Sequence, residues 1–154
     1  MSDGTQRPEP RYVLDTSALV DLKNEYPPKL FPSLWSKFNA LCSAGEIIAP
    51  REVRKEIELG SDELLDWVKE YSTIFLAPTA SEGAFTGKLQ VDNPNWVDPN
   101  GTKPMADPFV LAMAKDRDLP LISHDKKQLL HVAKQIGVKC VRIPELVERE
   151  GWKF

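Results

Sequence analysis

Short apolar runs alternate with amphipathic stretches along most of this chain, and that alternation predicts its elements. Tyr12-Val13-Leu14 is too short for a helix and apolar at every position, which suits a strand buried on both faces. From Thr16 to Asn24, Leu19 and Leu22 fall on one face of a helix that Pro27-Pro28 ends. Leu34, Trp35, Phe38, Leu41 and Cys42 then repeat at helical spacing as far as Gly45, and Ile47-Ile48-Ala49 reads as a second strand. Pro50 fits the first turn of a helix that carries Val53 and Ile57 and closes near Gly60. Asp62 caps a further helix with Leu64, Leu65, Val68 and Tyr71 inward, and residues 73–76 are predicted to be a strand.

From Thr79 to Met105 the period weakens. Asp92 to Gly101 is turn chemistry throughout, so an irregular, flap-like segment is predicted over about 90–106, running into Asp107. Regularity then returns: a helix over 108–116, a strand over 119–123, and a helix over 126–136 with Leu129, Val132, Ala133 and Ile136 inward. Gly137 stops that helix, a last strand spans 138–143, and Pro144 opens a terminal helix. Such alternation predicts an α/β fold of three layers, with a short, mainly parallel sheet between helices. Residues 1–10 read as a flexible polar tail, and 11–154 as one domain.

Composition narrows the class. With 42% hydrophobic and 28% charged residues in 154, this is an ordinary globular domain, large enough to bury a core. No apolar run reaches the roughly 20 residues of a membrane span, so no membrane partner is expected. The N-terminus lacks the apolar core of a signal peptide, and Cys42 and Cys140 lie inside apolar patterns, so the expected location is cytoplasmic. Two histidines and two cysteines show no zinc-like spacing. A net charge of −3 speaks against holding nucleic acid by bulk electrostatics.

Part of that negative charge falls in a pattern. Asp15 ends the first apolar run, Glu56 lies in the helix after the second, Asp107 precedes Phe109-Val110-Leu111-Ala112, and Asp125 follows Leu121-Ile122-Ser123. Taken singly, Asp15, Asp107 and Asp125 read equally well as helix N-caps, and Asp107-Pro108 looks like a cap followed by proline at the first helical position. Glu56 lies past the first turn of its helix, and its neighbours Glu52 and Glu58 read as solvated. Taken together, acids at the carboxyl ends of neighbouring parallel strands converge on one crevice. Two carboxylates about 4 Å apart cost on the order of 4 kcal/mol at an effective dielectric near 20. Mg²⁺ or Mn²⁺ would offset that repulsion, and the ion would promote hydrolysis of a phosphodiester.

These residues resemble the motifs of the PIN-domain ribonucleases. Tyr12-Val13-Leu14-Asp15-Thr16-Ser17-Ala18-Leu19 is similar to the opening motif, and Glu56-Ile57 to the second. Ala106-Asp107-Pro108-Phe109-Val110-Leu111-Ala112-Met113-Ala114 resembles the third motif. Leu119-Pro120-Leu121-Ile122-Ser123-His124-Asp125 resembles the fourth, with Ser-His-Asp where the family often has Thr-Arg-Asp. The resemblance spans residues 12–143. It implies a PIN-like fold and a Mg²⁺- or Mn²⁺-dependent endoribonuclease in which Asp15, Glu56, Asp107 and Asp125 are the catalytic, metal-binding acids and Ser17 supports them by hydrogen bonding. It further implies the toxin of a type II toxin–antitoxin module, with RNA as substrate, a cognate antitoxin as partner and a homodimer as assembly.

Other residues have two readings. Arg51, Lys126 and Lys127 either contact RNA phosphate or form a charged, solvated first turn. Trp96 either stacks on a base or packs as a hydrophobic lid. Strand alternation turns His124 away from the acids, so it is read as non-catalytic. Two rivals remain: a PIN-like module that binds RNA or protein without cutting, and a phosphotransferase of the haloacid-dehalogenase kind. The second needs an Asp two residues after the first acid, where this chain has Ser17.

Overall fold

The computed structural model describes residues 9–124 and 126–153, so Asp125 and most of the predicted tail lie outside the described residues. Five strands, β1 (Tyr12–Leu14), β2 (Ile47–Pro50), β3 (Phe75–Leu76), β4 (Leu121–Ile122) and β5 (Cys140–Val141), form one sheet in the order β3-β2-β1-β4-β5. Every pairing is parallel, with Val13 opposite both Ile48 and Leu121, Ala49 opposite Phe75, and Ile122 opposite Val141. Strands buried on both faces need no polar alternation. All residues of β1, β2 and β4 are buried accordingly.

Helices α1 (Thr16–Glu25), α2 (Pro32–Ser43), α3 (Arg51–Gly60) and α4 (Leu65–Glu70) link β1, β2 and β3 in one direction across the sheet. Helices α5 (Ala80–Asp92), α6 (Asp107–Arg117) and α7 (Lys127–Ile136) link β3, β4 and β5 in the other, and α8 (Ile143–Glu150) closes the chain. Right-handed crossovers put the two sets on opposite faces, giving three layers. Consistently, α1 and α4 pack on α3, while α5 and α7 pack on α6. The direction of winding reverses between β1 and β4. That reversal opens a crevice at their carboxyl ends, the usual ligand position in an open parallel sheet. Among the described residues no helix is long and apolar enough to cross a membrane.

The weakly patterned stretch contains more structure than its sequence predicts. Residues 80–92 are helical as α5, opened by a capping box in which Thr79 Oγ1 accepts from the Glu82 amide and Glu82 Oε1 accepts from the Thr79 amide. The buried face of α5 holds Glu82, Thr86 and Leu89, which gives little apolar period, and Gly83 and Gly87 are poor helix formers. Packing on α6 carries it instead, with Arg117 Nε donating to Glu82 Oε2 at 2.7 Å.

The irregular segment therefore shrinks to residues 93–106, and it is anchored. Gln128 of α7 donates to Asn93 and Asn95 side chains, and Asp98 accepts from the amides of Asn100, Thr102 and Lys103. Trp96 is 2% exposed, which decides its role in favour of packing: the ring is in the core and closed to a nucleobase. Glu52, read as solvated, is also buried beneath this segment, near Trp96 and Met105. Cys42 is buried, and burial pushes its thiol up to about 12, so it behaves as a small hydrophobe.

Candidate metal centre at the sheet edge

β1 delivers Asp15 to the crevice, and the Asp15 amide donates to Ile122 O at 2.9 Å, holding the two central strand ends together. Asp15 occupies the N-cap position of α1 with extended backbone, yet its side chain makes no capping bond. Instead Ser17 Oγ donates to Asp15 Oδ2 at 2.5 Å, while the same hydroxyl accepts from the His124 amide at 3.2 Å. Asp107 makes no capping bond either. Helix α6 is capped by Ala106, which puts Asp107 at the first helical position and Pro108 at the second, so the helix starts one residue earlier than predicted. Asp15 thus holds the cap position without a capping bond, and Asp107 lies one residue inside its helix.

What the two aspartates share is a cation. Lys126 Nζ lies 2.6 Å from Asp107 Oδ1 and 3.3 Å from Asp15 Oδ2. The sequence offers Lys126 either to RNA phosphate or to solvent; in this structure the ammonium is turned inward between two acids. Glu56 binds beside them. Thr16 Oγ1 donates to its Oε1 at 2.6 Å and the Ala106 amide to its Oε2 at 2.9 Å. Glu56 thus grips the residue after Asp15 and the residue before Asp107. Three of the four predicted acids therefore gather around Lys126, and the fourth, Asp125, lies outside the described residues. Arg51, at the start of α3, is 3.5 Å from Glu52, and Lys127 is exposed at the start of α7; neither lines the crevice.

Burial raises the Asp15 carboxyl above the usual aspartate range; Lys126 and Ser17 pull it down and Asp107 adds repulsion. Burial likewise raises Glu56, against the hydrogen bonds from Thr16 and Ala106. Burial works against the Lys126 ammonium, but Asp15, Asp107 and Glu56 outweigh it and hold its pKa above the ordinary lysine value. A carboxyl whose folded pKa is raised favours folding below the unfolded value and loses that contribution as pH rises through the folded value. Glu56→Gln removes the titration. In EDTA, its thermal midpoint relative to wild type should therefore be highest at pH 8 and fall as pH drops to about 5. A difference that stays constant across this range would contradict the assigned shift.

A cleft of about 450 Å³ opens beside these residues, lined by Thr16, Ser17, Asp21, Glu56, His124 and Lys126 among others. At its mouth stands a group the sequence reading passed over. Asp21 and Glu25, one turn apart on α1, and His124 bring ligand atoms within 4.8 Å of one another. His124 Nδ1 is 3.2 Å from Asp21 Oδ2, so the imidazole faces this second acidic pair. The i, i+4 spacing of Asp21 and Glu25 was the available signal. Asp15, Glu56 and Asp107 do not form so tight a set among the described residues, because Lys126 stands between two of them.

Two observations bear on whether Mg²⁺ or Mn²⁺ fits at Asp15. Among the described residues its buried Oδ1 has no hydrogen-bond partner, which leaves one carboxylate oxygen with unused acceptor capacity. The donor set around it is carboxylate and hydroxyl oxygen, the chemistry these hard ions prefer. In donor type the residues fit the ion, with Lys126 Nζ standing between Asp15 and Asp107.

Fold and site together define a parallel α/β protein with an acidic crevice at its topological switch point. The chain belongs to the family described as Domain of unknown function (DUF4411), which matches residues 12–154. No curated protein matches it.

Proposed function

We propose that this chain is a Mg²⁺- or Mn²⁺-dependent endoribonuclease of the PIN-like kind. The observation that carries the reading is Asp15: fully buried at the carboxyl end of the central strand, with one oxygen unpartnered among the described residues and the other beside an ammonium shared with Asp107. A fold bears the cost of such a charge where a cation is to be bound. The order of the four sequence motifs along a parallel α/β chain supports the same reading.

Asp15, Asp107 and Glu56, with Asp125, would hold the ion. When bound, it supplies positive charge that activates a water and stabilises the leaving oxygen of the phosphodiester. The chain's own groups do the positioning. Ser17 fixes the Asp15 carboxylate and ties it to the strand end at His124, while Thr16 and the Ala106 amide fix Glu56. The cleft beside Lys126 would receive the RNA backbone. Ser17 donates to Asp15 where a haloacid-dehalogenase-like enzyme would need a second acid, which speaks against the phosphotransferase reading. The resemblance extends the proposal to a cytoplasmic toxin of a type II toxin–antitoxin module, whose antitoxin would block the crevice, and to a homodimer.

One observation favours a second reading, an RNA- or protein-binding module without cleavage: Lys126 already neutralises Asp15 and Asp107. The separating experiment is cleavage of a mixed single-stranded RNA substrate. The nuclease reading expects products in Mn²⁺ or Mg²⁺ and none in EDTA. Cleavage unaffected by EDTA, or RNA binding with no cleavage in either metal, would sink it.

A further inference from the structure

Lys126 sits where a cation is wanted. Its ammonium bridges Asp107 Oδ1 and Asp15 Oδ2, at 2.6 and 3.3 Å, and a divalent ion held by these two acids would have to enter the same space. Two cations cannot share it: the ammonium and the ion would repel, and each carboxylate oxygen now given to Nζ is one a metal needs. Nor is Lys126 fixed there by a rigid element. It occupies the N-cap position of α7 with extended backbone, and its side chain is one-third exposed along the cleft that Asp21 and His124 also line. A lysine stem has four rotatable carbons, so the ammonium can leave the acids without moving the helix.

We propose that Lys126 is a tethered cation that holds the acidic crevice together in the metal-free protein and is displaced into the cleft when a divalent ion binds. This rests on the metal-site reading above and adds to it a competitor built into the chain. The arrangement explains how a fully buried Asp15 is tolerated before metal arrives: a buried carboxylate without a charge partner is among the costlier defects a fold can carry. It also returns Lys126 to phosphate. Once displaced, the ammonium lies in the cleft assigned to the RNA backbone, so one residue serves as counter-ion in the free state and as phosphate contact in the loaded one.

The test compares wild type with Lys126→Gln, using Mn²⁺ alone as probe. Calorimetric titration should show Mn²⁺ binding about ten-fold tighter in Lys126→Gln, because no resident charge has to be expelled. In EDTA the variant's thermal midpoint should fall by about 5 °C, and saturating Mn²⁺ should restore it to the wild-type holo value. Equal Mn²⁺ affinity in the two proteins, or weaker binding in the variant, overturns the displacement. If neither protein binds Mn²⁺, the metal-site reading itself fails and the displacement falls with it. Wild-type protein supplies an independent measurement should the variant not fold: amine-reactive labelling read by mass spectrometry. Mn²⁺ should speed labelling of Lys126 several-fold and leave exposed Lys127 unchanged; an unaltered Lys126 rate overturns the proposal.

Discussion

Asp107→Asn should abolish metal-dependent RNA cleavage, by about a thousandfold, while the chain stays folded. A metal ligand contributes several kcal/mol to stabilising charge in the transition state, and each 1.36 kcal/mol is worth a factor of about ten. The fold should tolerate the change because Asn keeps the side chain's shape and Asp107 makes no capping bond for α6. What is lost in the metal-free state is an ion pair whose lysine is one-third exposed, worth about 1 kcal/mol. Asp118 is the natural control: it ends the same helix in the left-handed region, which Asn also adopts, and stands outside the cleft lining. Asp118→Asn should cleave like wild type. The measurement is a cleavage time course in Mn²⁺, paired with circular dichroism of each variant. Activity in Asp107→Asn within a few-fold of wild type would remove Asp107 from the site.

Trp96→Ala should act on stability, with a loss of about 3–5 kcal/mol, the usual cost of emptying a buried aromatic site. At this chain length that corresponds to a fall of roughly 10 °C in the thermal midpoint. The ring is 2% exposed and lies where the irregular segment meets the core, so its removal leaves a cavity under residues 93–106. Affinity for single-stranded RNA, measured below the melting transition, should be unchanged. Weaker RNA binding with an unchanged midpoint would mean that the ring stacks on a base after all.

How much of this was legible in the sequence depended on how local each feature is. The central strands were readable because burial on both faces makes Tyr12-Val13-Leu14 and Ile47-Ile48-Ala49 unbroken apolar runs. The flanking strands came out shorter than predicted, as β4 and β5 pair over only two residues each. Helix α5 was missed because its buried face is mostly polar, although Thr79-Ala80-Ser81-Glu82 carried the spacing of a capping box. Glu52 looked like any charge beside Arg51 and Lys55, yet it is buried and lines a cleft with Trp96 and Met105 of the irregular segment. That Asp15, Glu56 and Asp107 come together was expected from their places beside the apolar runs. The partner of Asp15 and Asp107 was not, since nothing in Lys126-Lys127 tells which of two adjacent lysines turns inward.

The pairing of β1 with β4 has a further meaning for how this protein is made. The contact of Asp15 with Lys126 spans 111 residues, and β1 lacks its second neighbour until Leu121 and Ile122 have left the ribosome. Synthesis proceeds at about 5–20 residues per second, so for several seconds the nascent chain carries its first acid without the strand, the lysine or the third acid that complete the crevice. The acidic crevice is thereby built in an order that leaves it unassembled until the polypeptide is nearly finished, which would spare the encoding RNA if the proposed activity holds.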